Sequence, residues 1–90
     1  MRFQIEYSEN ARRAIHTLPG NYRQRIRRMI EALADEPRPK FAKELRELIN
    51  HYRIKVDKWR IIYRITDEHL IILVIDIRIK TGPETYSDLD

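Results

Sequence analysis

Residues 52–65 read Tyr-Arg-Ile-Lys-Val-Asp-Lys-Trp-Arg-Ile-Ile-Tyr-Arg-Ile and alternate between apolar and mainly cationic side chains around the Asp57-Lys58 pair. Alternation with a period of two is typical of β-strands that bury one face. A two-residue turn at Asp57-Lys58 would join two such strands into a hairpin. The apolar pairs across this hairpin would be Val56 with Trp59, Ile54 with Ile61, and Tyr52 with Tyr63. The segment therefore predicts a ribbon with one apolar and one cationic face.

The cationic face of this ribbon carries like charges at facing positions. The register places Lys55 directly opposite Arg60, and Arg53 lies one pleat away. Because facing like charges destabilise a sheet, fold stability gives no reason for this pairing. The three cations would lie within roughly 7–8 Å of one another, a spacing that suits a phosphate group. The hairpin therefore predicts an anion-binding site.

The segments before the hairpin predict one strand and two helices. Alternation over residues 2–7 indicates an opening strand, and Ser8 is a suitable N-cap for the helix that follows. Pro19-Gly20 breaks this helix. Residues 21–35 carry a second apolar stripe at helical spacing, and the prolines after it end the second helix. Two successive amphipathic helices predict a helical hairpin packed on a sheet.

The segments after the second helix predict a linker and a final strand. Residues 41–49 form a transitional piece, a candidate for one helical turn, whose apolar side chains could cover a core edge: Phe41, Leu45 and Leu48. Residues 70–79 are almost continuously apolar, which predicts a central strand covered on both faces. The tail from Lys80 onward is expected to be a loop. The pattern β-α-α-β-β-β predicts an α+β fold, with an antiparallel three-stranded meander and both helices on one face of the sheet.

Length and composition predict a single domain over residues 1–90 that binds a polyanion. Charged residues make up 36% of the chain and the formal net charge is +4, which favours RNA, DNA or acidic protein segments as partners. The chain has no cysteine, so disulfides and thiolate sites are excluded and a cytoplasmic location is expected. No apolar run of about 18 residues occurs, so no membrane span is expected. The histidines show no metal-ligand spacing, and no cofactor is expected.

Five further residues are candidates for contacts to RNA. Arg23 and Arg27 lie on the second helix, although a solvated helix face explains its arginines more simply. His51 adjoins the ribbon and could transfer a proton or contact RNA. Arg64 and Arg78 lie in the second and third strands of the meander.

The chain resembles the RelE/ParE toxin superfamily of type II toxin–antitoxin systems in the order of its elements and in segments 43–45 (KEL), 52–56 (YRIKV) and 59–63 (WRIIY). RelE-like members of this superfamily cut mRNA on the ribosome, whereas ParE-like members inhibit DNA gyrase. The resemblance implies that the functional positions fall on Arg53, Lys55, Arg60, Lys80 and Tyr86. Arginine is more usual at position 80, and the linker that follows is less basic than usual. The retained basic set favours the RelE-like branch.

The resemblance implies an endoribonuclease that works without metal. The ribose 2′-OH attacks the adjacent phosphorus, a base accepts its proton, an acid protonates the departing 5′-oxygen, and cations stabilise the phosphorane. We expect Lys55 to be the base or its electrostatic surrogate. Arg60 and Lys80 are expected to stabilise the phosphorane, and Arg53 to position the backbone or to assist protonation around the leaving group. Tyr86 is expected to stack on a base, and its phenol could also take part in proton transfer.

A toxin also implies a partner that neutralises it. The resemblance implies a cognate antitoxin in a hetero-oligomeric complex, in addition to the ribosome and mRNA. Apolar patches on the linker and the second helix, next to basic ones, suit an acidic segment that folds on binding. Three alternatives stay open: a ParE-like gyrase inhibitor, a nucleic-acid-binding module whose cations only contact phosphates, and a degenerate toxin kept as a structural partner.

Overall fold

The alternating segment forms a hairpin within a five-stranded sheet. The computed structural model describes residues 2–80, and its elements follow in the order β1 (Gln4–Tyr7), α1 (Glu9–Thr17), α2 (Gly20–Ala32), β2 (Lys43–Glu44), β3 (His51–Val56), β4 (Trp59–Thr66), a 3₁₀-helix (Asp67–His69) and β5 (Ile71–Ile79). The strand order across the sheet is β1-β5-β4-β3-β2. β1 runs parallel to β5, and the other neighbouring strands are antiparallel. The predicted α+β fold is confirmed, and β2 is an additional strand at one edge.

The hairpin of β3 and β4 has the predicted two-residue turn. Val56 pairs with Trp59, and Lys55 pairs with Arg60. Asp57 has a φ of 54°, in the left-handed region that Asp enters more readily than most residues. Turn chemistry and alternation therefore specify the same register.

Both helices cover the apolar face of the hairpin. The Oγ of Ser8 accepts a hydrogen bond from the Ala11 N–H at 3.0 Å, which caps α1 as predicted. The largest fully buried side chains in this layer come from α2, its C-terminal end and the sheet, and include Ile26, Ile30, Leu33, Ile54, Ile61, Tyr63, Ile65, Ile72 and Val74. Neither helix within residues 2–80 is long and apolar enough to cross a membrane.

A register shift interrupts the alternation of β5 near its middle. Ile62 pairs with Asp76, but the next residue, Tyr63, pairs with Val74, so Ile75 is an extra residue in β5. Such a bulge interrupts the strict alternation of a strand. Val74 is buried under the helices, whereas Ile75 is only partly buried on the opposite face. The predicted central position is confirmed, since β5 lies between β1 and β4. Its second face is only partly covered, because Leu73 and Ile75 are partly buried there.

The linker before β3 contains β2 and not the candidate helical turn. Leu45 is buried and Leu48 partly buried, and both pack with Ile62 on the sheet face that the helices leave uncovered. These two leucines therefore cover part of the second face, as expected. Phe41 does not contribute, because it is 63% exposed.

Candidate nucleic-acid interface

The sheet face opposite the helices carries three cations in line. Lys55 of β3 pairs with Arg60 of β4, and Arg60 pairs with Arg78 of β5. Neighbouring strands lie about 4.8 Å apart, so the three backbone positions span roughly 10 Å. Lys55, Arg60 and Arg78 are called the cationic row below. The hairpin brings Lys55 and Arg60 together as expected, and β5 adds Arg78 to them.

Arg60 is held firmly at the turn end of this face. Its side chain lies at a nearly buried position, with 7% of the residue exposed. The Nη1 group donates to the backbone oxygens of Asp57 and Trp59, both at 2.9 Å. Because a buried charge is costly without hydrogen bonds, these contacts stabilise the guanidinium in one place. Arg60 is therefore a preorganised cation, whereas Lys55 beside it is exposed.

Arg53 lies on the same face, one row further from the turn. It pairs with Ile62 of β4 and with Lys43 of β2. Only 8% of Arg53 is exposed. Arg53, Lys55 and Arg60 thus share one face of the sheet, which is the arrangement that the alternating sequence predicts.

Asp76 is an acidic residue within this cationic face that the sequence interpretation missed. The Nε and Nη2 groups of Arg78 converge on its Oδ2 at 2.9 and 2.7 Å, and the Ile77 N–H donates to its Oδ1 at 2.8 Å. This ion pair is largely shielded, since the side chains of Arg78 and Asp76 are 28% and 19% exposed. Residues two apart in a strand share a face, so the spacing of Asp76 and Arg78 could have predicted this ion pair from the sequence. Asp76 restrains Arg78 and offsets part of the positive charge.

Lys80 follows β5 and lies close to the hairpin turn. Its backbone N–H donates to the backbone oxygen of Lys58 at 3.0 Å, and its side chain is exposed. The structure therefore brings the predicted residue to the same end of the sheet as Arg60. Tyr86, the fifth predicted site residue, lies outside the described residues.

His51 and Arg64 extend the cationic face away from the turn. They pair with each other across β3 and β4 and have the same strand parity as Lys55 and Arg60. Nδ1 of His51 lies 2.8 Å from the backbone oxygen of Ile49, so this nitrogen acts as the donor. The two residues are four positions along the strands from the cationic row, roughly 13 Å at 3.3 Å per residue. They can contact a neighbouring part of a bound strand but do not reach the row.

Arg23 and Arg27 lie in the helix layer, behind the sheet. The guanidinium of Arg23 donates to the backbone oxygens of Ile15, His16 and Leu18 at 3.1, 3.0 and 3.1 Å. It therefore caps the C-terminus of α1, where carbonyl groups lack partners within the helix. Arg27 is exposed on α2. Arg23 therefore has a structural contact in this chain, and neither arginine joins the cationic face; their part in RNA binding stays a prediction.

Comparison with known proteins gives a family match, a sequence relative and similar solved structures. The sequence matches the family model described as ParE toxin of type II toxin-antitoxin system, parDE, over residues 5–80. It is 24% identical over 90 residues to the mRNA interferase toxin RelE of Escherichia coli strain K12, which covers 98% of this chain and 94% of that protein. The RelBE2 toxin–antitoxin complex of Mycobacterium tuberculosis contains a chain with a TM-score of 0.76 and 26% identity, covering 89% of this chain and all of that one. The archaeal RelE–RelB complex of Pyrococcus horikoshii gives a TM-score of 0.79 at 20% identity, with coverage of 92% and 100%, and supports the fold alone.

Fold and sequence together define a toxin of the RelE/ParE superfamily. More narrowly, the chain belongs to the ParE toxin family of type II toxin–antitoxin systems, since the family match spans residues 5–80. The resemblance in the sequence is thereby confirmed. Chemically, the cationic face can bind phosphates and stabilise added negative charge on them.

Proposed function

We propose that this chain acts in the cytoplasm as a single toxin domain that cleaves mRNA on the ribosome. The observation that carries the proposal is the cationic row, with Arg53 beside it, on a sheet face that the helices leave open. A relative covering 98% of this chain is named an mRNA interferase, which supports the same activity. The basic residues of this face suit a phosphodiester. A surface that served only for docking to another protein would not need all of them.

The proposed reaction is the one that the resemblance to RelE-like toxins implies, and the charges of this face suit it. The 2′-OH of one nucleotide attacks the adjacent phosphorus, and the bond to the 5′-oxygen of the next nucleotide breaks. The departing 5′-oxygen takes up a proton from solvent or from the Tyr86 phenol, so the products are a 2′,3′-cyclic phosphate and a 5′-hydroxyl end. Lys55, exposed beside Arg60, is proposed to accept the 2′-OH proton directly or to favour its departure electrostatically. Arg60 and Lys80 stabilise the phosphorane oxygens, Arg53 positions the strand, and Tyr86 stacks on a base.

The test is cleavage of mRNA on programmed ribosomes by the purified chain, followed by mapping of new 5′ ends. Lys55→Ala should lower the cleavage rate by about 10²–10³-fold, the scale of removing one transition-state donor. Lys58→Ala is the matched control, because it removes the same charge from an exposed position in the adjacent turn. Equal rates for Lys55→Ala and the parent would contradict the assignment of Lys55.

A ParE-like gyrase inhibitor is the second candidate, because the matching family model carries the ParE description. Such a protein binds its target and performs no cleavage. Supercoiling by purified gyrase should then fall in the presence of the chain while ribosome-bound mRNA stays intact. The opposite pair of results favours the nuclease. Binding of RNA without cleavage or gyrase inhibition would indicate a plain nucleic-acid-binding module.

We also propose that a cognate antitoxin neutralises the chain within a hetero-oligomeric complex. Related folds occur in solved toxin–antitoxin complexes from several organisms. The cationic face suits an acidic segment, and a groove of about 520 Å³ beside α2 offers apolar contacts from Met29, Leu33, Pro39 and Phe41. Co-expression of the neighbouring gene should restore growth and co-purify its product with the chain. Failure of both would contradict the partnership.

A further inference from the structure

Helix α2 is tied to the hairpin turn through the carboxylate of Asp57. The Tyr22 hydroxyl donates to Asp57 Oδ2 at 2.9 Å, and Arg25 Nη1 donates to the same oxygen at 3.2 Å. The Arg25 guanidinium also lies 5.5 Å from the centre of the Tyr22 ring. Tyr22, Arg25 and Asp57 are called the turn clamp below. These bonds lower the pKa of the Asp57 carboxyl, with the Tyr22 hydroxyl as the main cause, so the clamp is intact at neutral pH.

The same aspartate holds Arg60 through its backbone. The Asp57 oxygen accepts from Arg60 Nη1 at 2.9 Å. The direction of this carbonyl depends on the conformation of Asp57, whose φ of 54° lies in the narrow left-handed region. Asp57 therefore contacts a helix with its side chain and a cation of the candidate site with its main chain.

Packing between the Tyr22 and Trp59 rings does little to orient the hairpin turn on α2. Tyr22 and Trp59 lie 6.1 Å apart between ring centres, in a tilted arrangement. Among the described residues, the buried Nε1 of Trp59 has no hydrogen-bond partner. Because apolar contact fixes distance better than orientation, the polar clamp is the feature that orients the turn on its helix side.

We infer that Tyr22, Arg25 and Asp57 are positioning residues that set the place of the Arg60 guanidinium in the cationic row. The inference rests on the proposed nuclease function, since it assigns these residues a part in that reaction. Stabilisation of a phosphorane requires the donor to be aligned before the reaction, and small displacements are costly. An exposed ion pair contributes little to folding, so loss of the clamp should affect catalysis more than stability.

Asp57→Gly tests the inference, because glycine keeps the left-handed turn and removes the carboxylate. We expect kcat for mRNA cleavage to fall about tenfold with little change in KM, since alignment is lost and ground-state contacts remain. Asp57→Asn should restore most of the rate, because its amide oxygen can still accept from Tyr22. Tyr22→Phe removes one donor while keeping the ring against Trp59, and should give an intermediate loss. If the glycine variant fails to fold, Tyr22→Phe tests the inference in its place.

Asp67→Asn is the matched control. Asp67 forms a comparable exposed ion pair with Arg38, at 2.8 Å, but has no hydrogen bond to Arg60. This variant should keep the parental kcat. A folded Asp57→Gly or Tyr22→Phe variant with the parental kcat would overturn the inference, as would an equal loss in Asp67→Asn.

A second measurement separates this inference from the proposed function. NMR relaxation of the Arg60 Nε–H group reports mobility of the guanidinium without any RNA. Greater mobility in Asp57→Gly or Tyr22→Phe, but not in Asp67→Asn, supports positioning even if the parent cleaves no mRNA and the nuclease proposal fails. If Arg60 mobility is unchanged in both clamp variants, the inference is refuted, whether or not the parent protein cleaves mRNA.

Discussion

Replacing Tyr63 with phenylalanine should destabilise the protein without affecting the cationic face. Tyr63 is fully buried on the helix side of the sheet, and its hydroxyl donates to the Pro37 oxygen at 2.8 Å. The ring stacks on Tyr52 with 5.7 Å between centres. Phenylalanine keeps the stacking and the apolar volume, so the change removes one hydrogen bond and leaves one carbonyl without this donor.

The expected cost combines these two terms. The net contribution of a hydrogen bond is about 1 kcal/mol, and an unsatisfied buried acceptor costs about 1–3 kcal/mol. Because Pro37 is only partly buried and water can reach it, we expect the low end, about 1–2 kcal/mol. Each kcal/mol corresponds to about 4–8 °C in Tm for a domain of this size.

The assay is guanidinium denaturation of parent and variant, with the slope m checked for constancy. Tyr52→Phe is the control, because the Tyr52 hydroxyl accepts from Arg38 Nε near the surface and its loss should cost less. A change below about 0.5 kcal/mol in Tyr63→Phe, within ordinary surface effects, would refute the role given to this hydrogen bond. A loss of mRNA cleavage by the folded variant would contradict the expectation that the cationic face is unaffected.

The pH dependence of the same variant gives an independent check. Burial is the main cause that raises the pKa of the Tyr63 phenol in the folded protein. The unfolded chain releases this proton near pH 10, while the folded protein still holds it. The proton-linked stabilisation is therefore complete below about pH 10 and falls as the pH rises further. The stability difference between parent and Tyr63→Phe should shrink accordingly.

Two further predictions concern arginines outside the site. Arg23→Ala should lower the free energy of unfolding by about 1–3 kcal/mol, because charged hydrogen bonds to the end of α1 are lost. RNA affinity at fixed salt should stay unchanged, and a drop in the affinity of the folded variant would support Arg23 as an RNA contact. Arg38→Gln should destabilise the protein near neutral pH and progressively less in acid. The Arg38 hydrogen bonds lower the pKa of Asp67 in the folded protein, so their contribution to stability is lost as the pH falls through that lowered pKa. Urea unfolding of parent and variant from pH 7 to pH 2 checks this, and a difference independent of pH would contradict it.

The hairpin could be predicted from sequence because two independent signals agree there. Alternation specifies which side chains share a face, and Asp57-Lys58 supplies a turn of the right length. The two-residue strand β2 could not be predicted, because Lys43–Glu44 is too short to show a period. The candidate helical turn at this position does not form, although Leu45 and Leu48 cover Ile62 on the second face as expected.

The composition of the site was harder to predict than the hairpin. Arg78 aligns with Arg60 only through the pairing of β4 with β5, a contact between residues distant in sequence. The bulge at Ile75 then changes which residues of β5 face the helices, and an apolar run gives no sign of it. The contact of Arg23 with α1 could not be predicted for a related reason. A charged residue on an amphipathic helix looks solvent-facing until the end of a neighbouring helix is placed beside it.

Strand parity separates the buried core from the cationic face of the sheet. On β3 and β4, Ile54, Ile61 and Tyr63 point to the helices and are fully buried, whereas Lys55 and Arg60 point the other way. The repulsion along the cationic row is tolerated because Arg60 bonds to the turn and Arg78 to Asp76. The direct partners in both restraints lie on the sheet face or in its turn, and α2 contributes only indirectly, by binding Asp57. Substitutions at the helix-facing positions should therefore change stability first, and those at the opposite parity should change phosphate chemistry first.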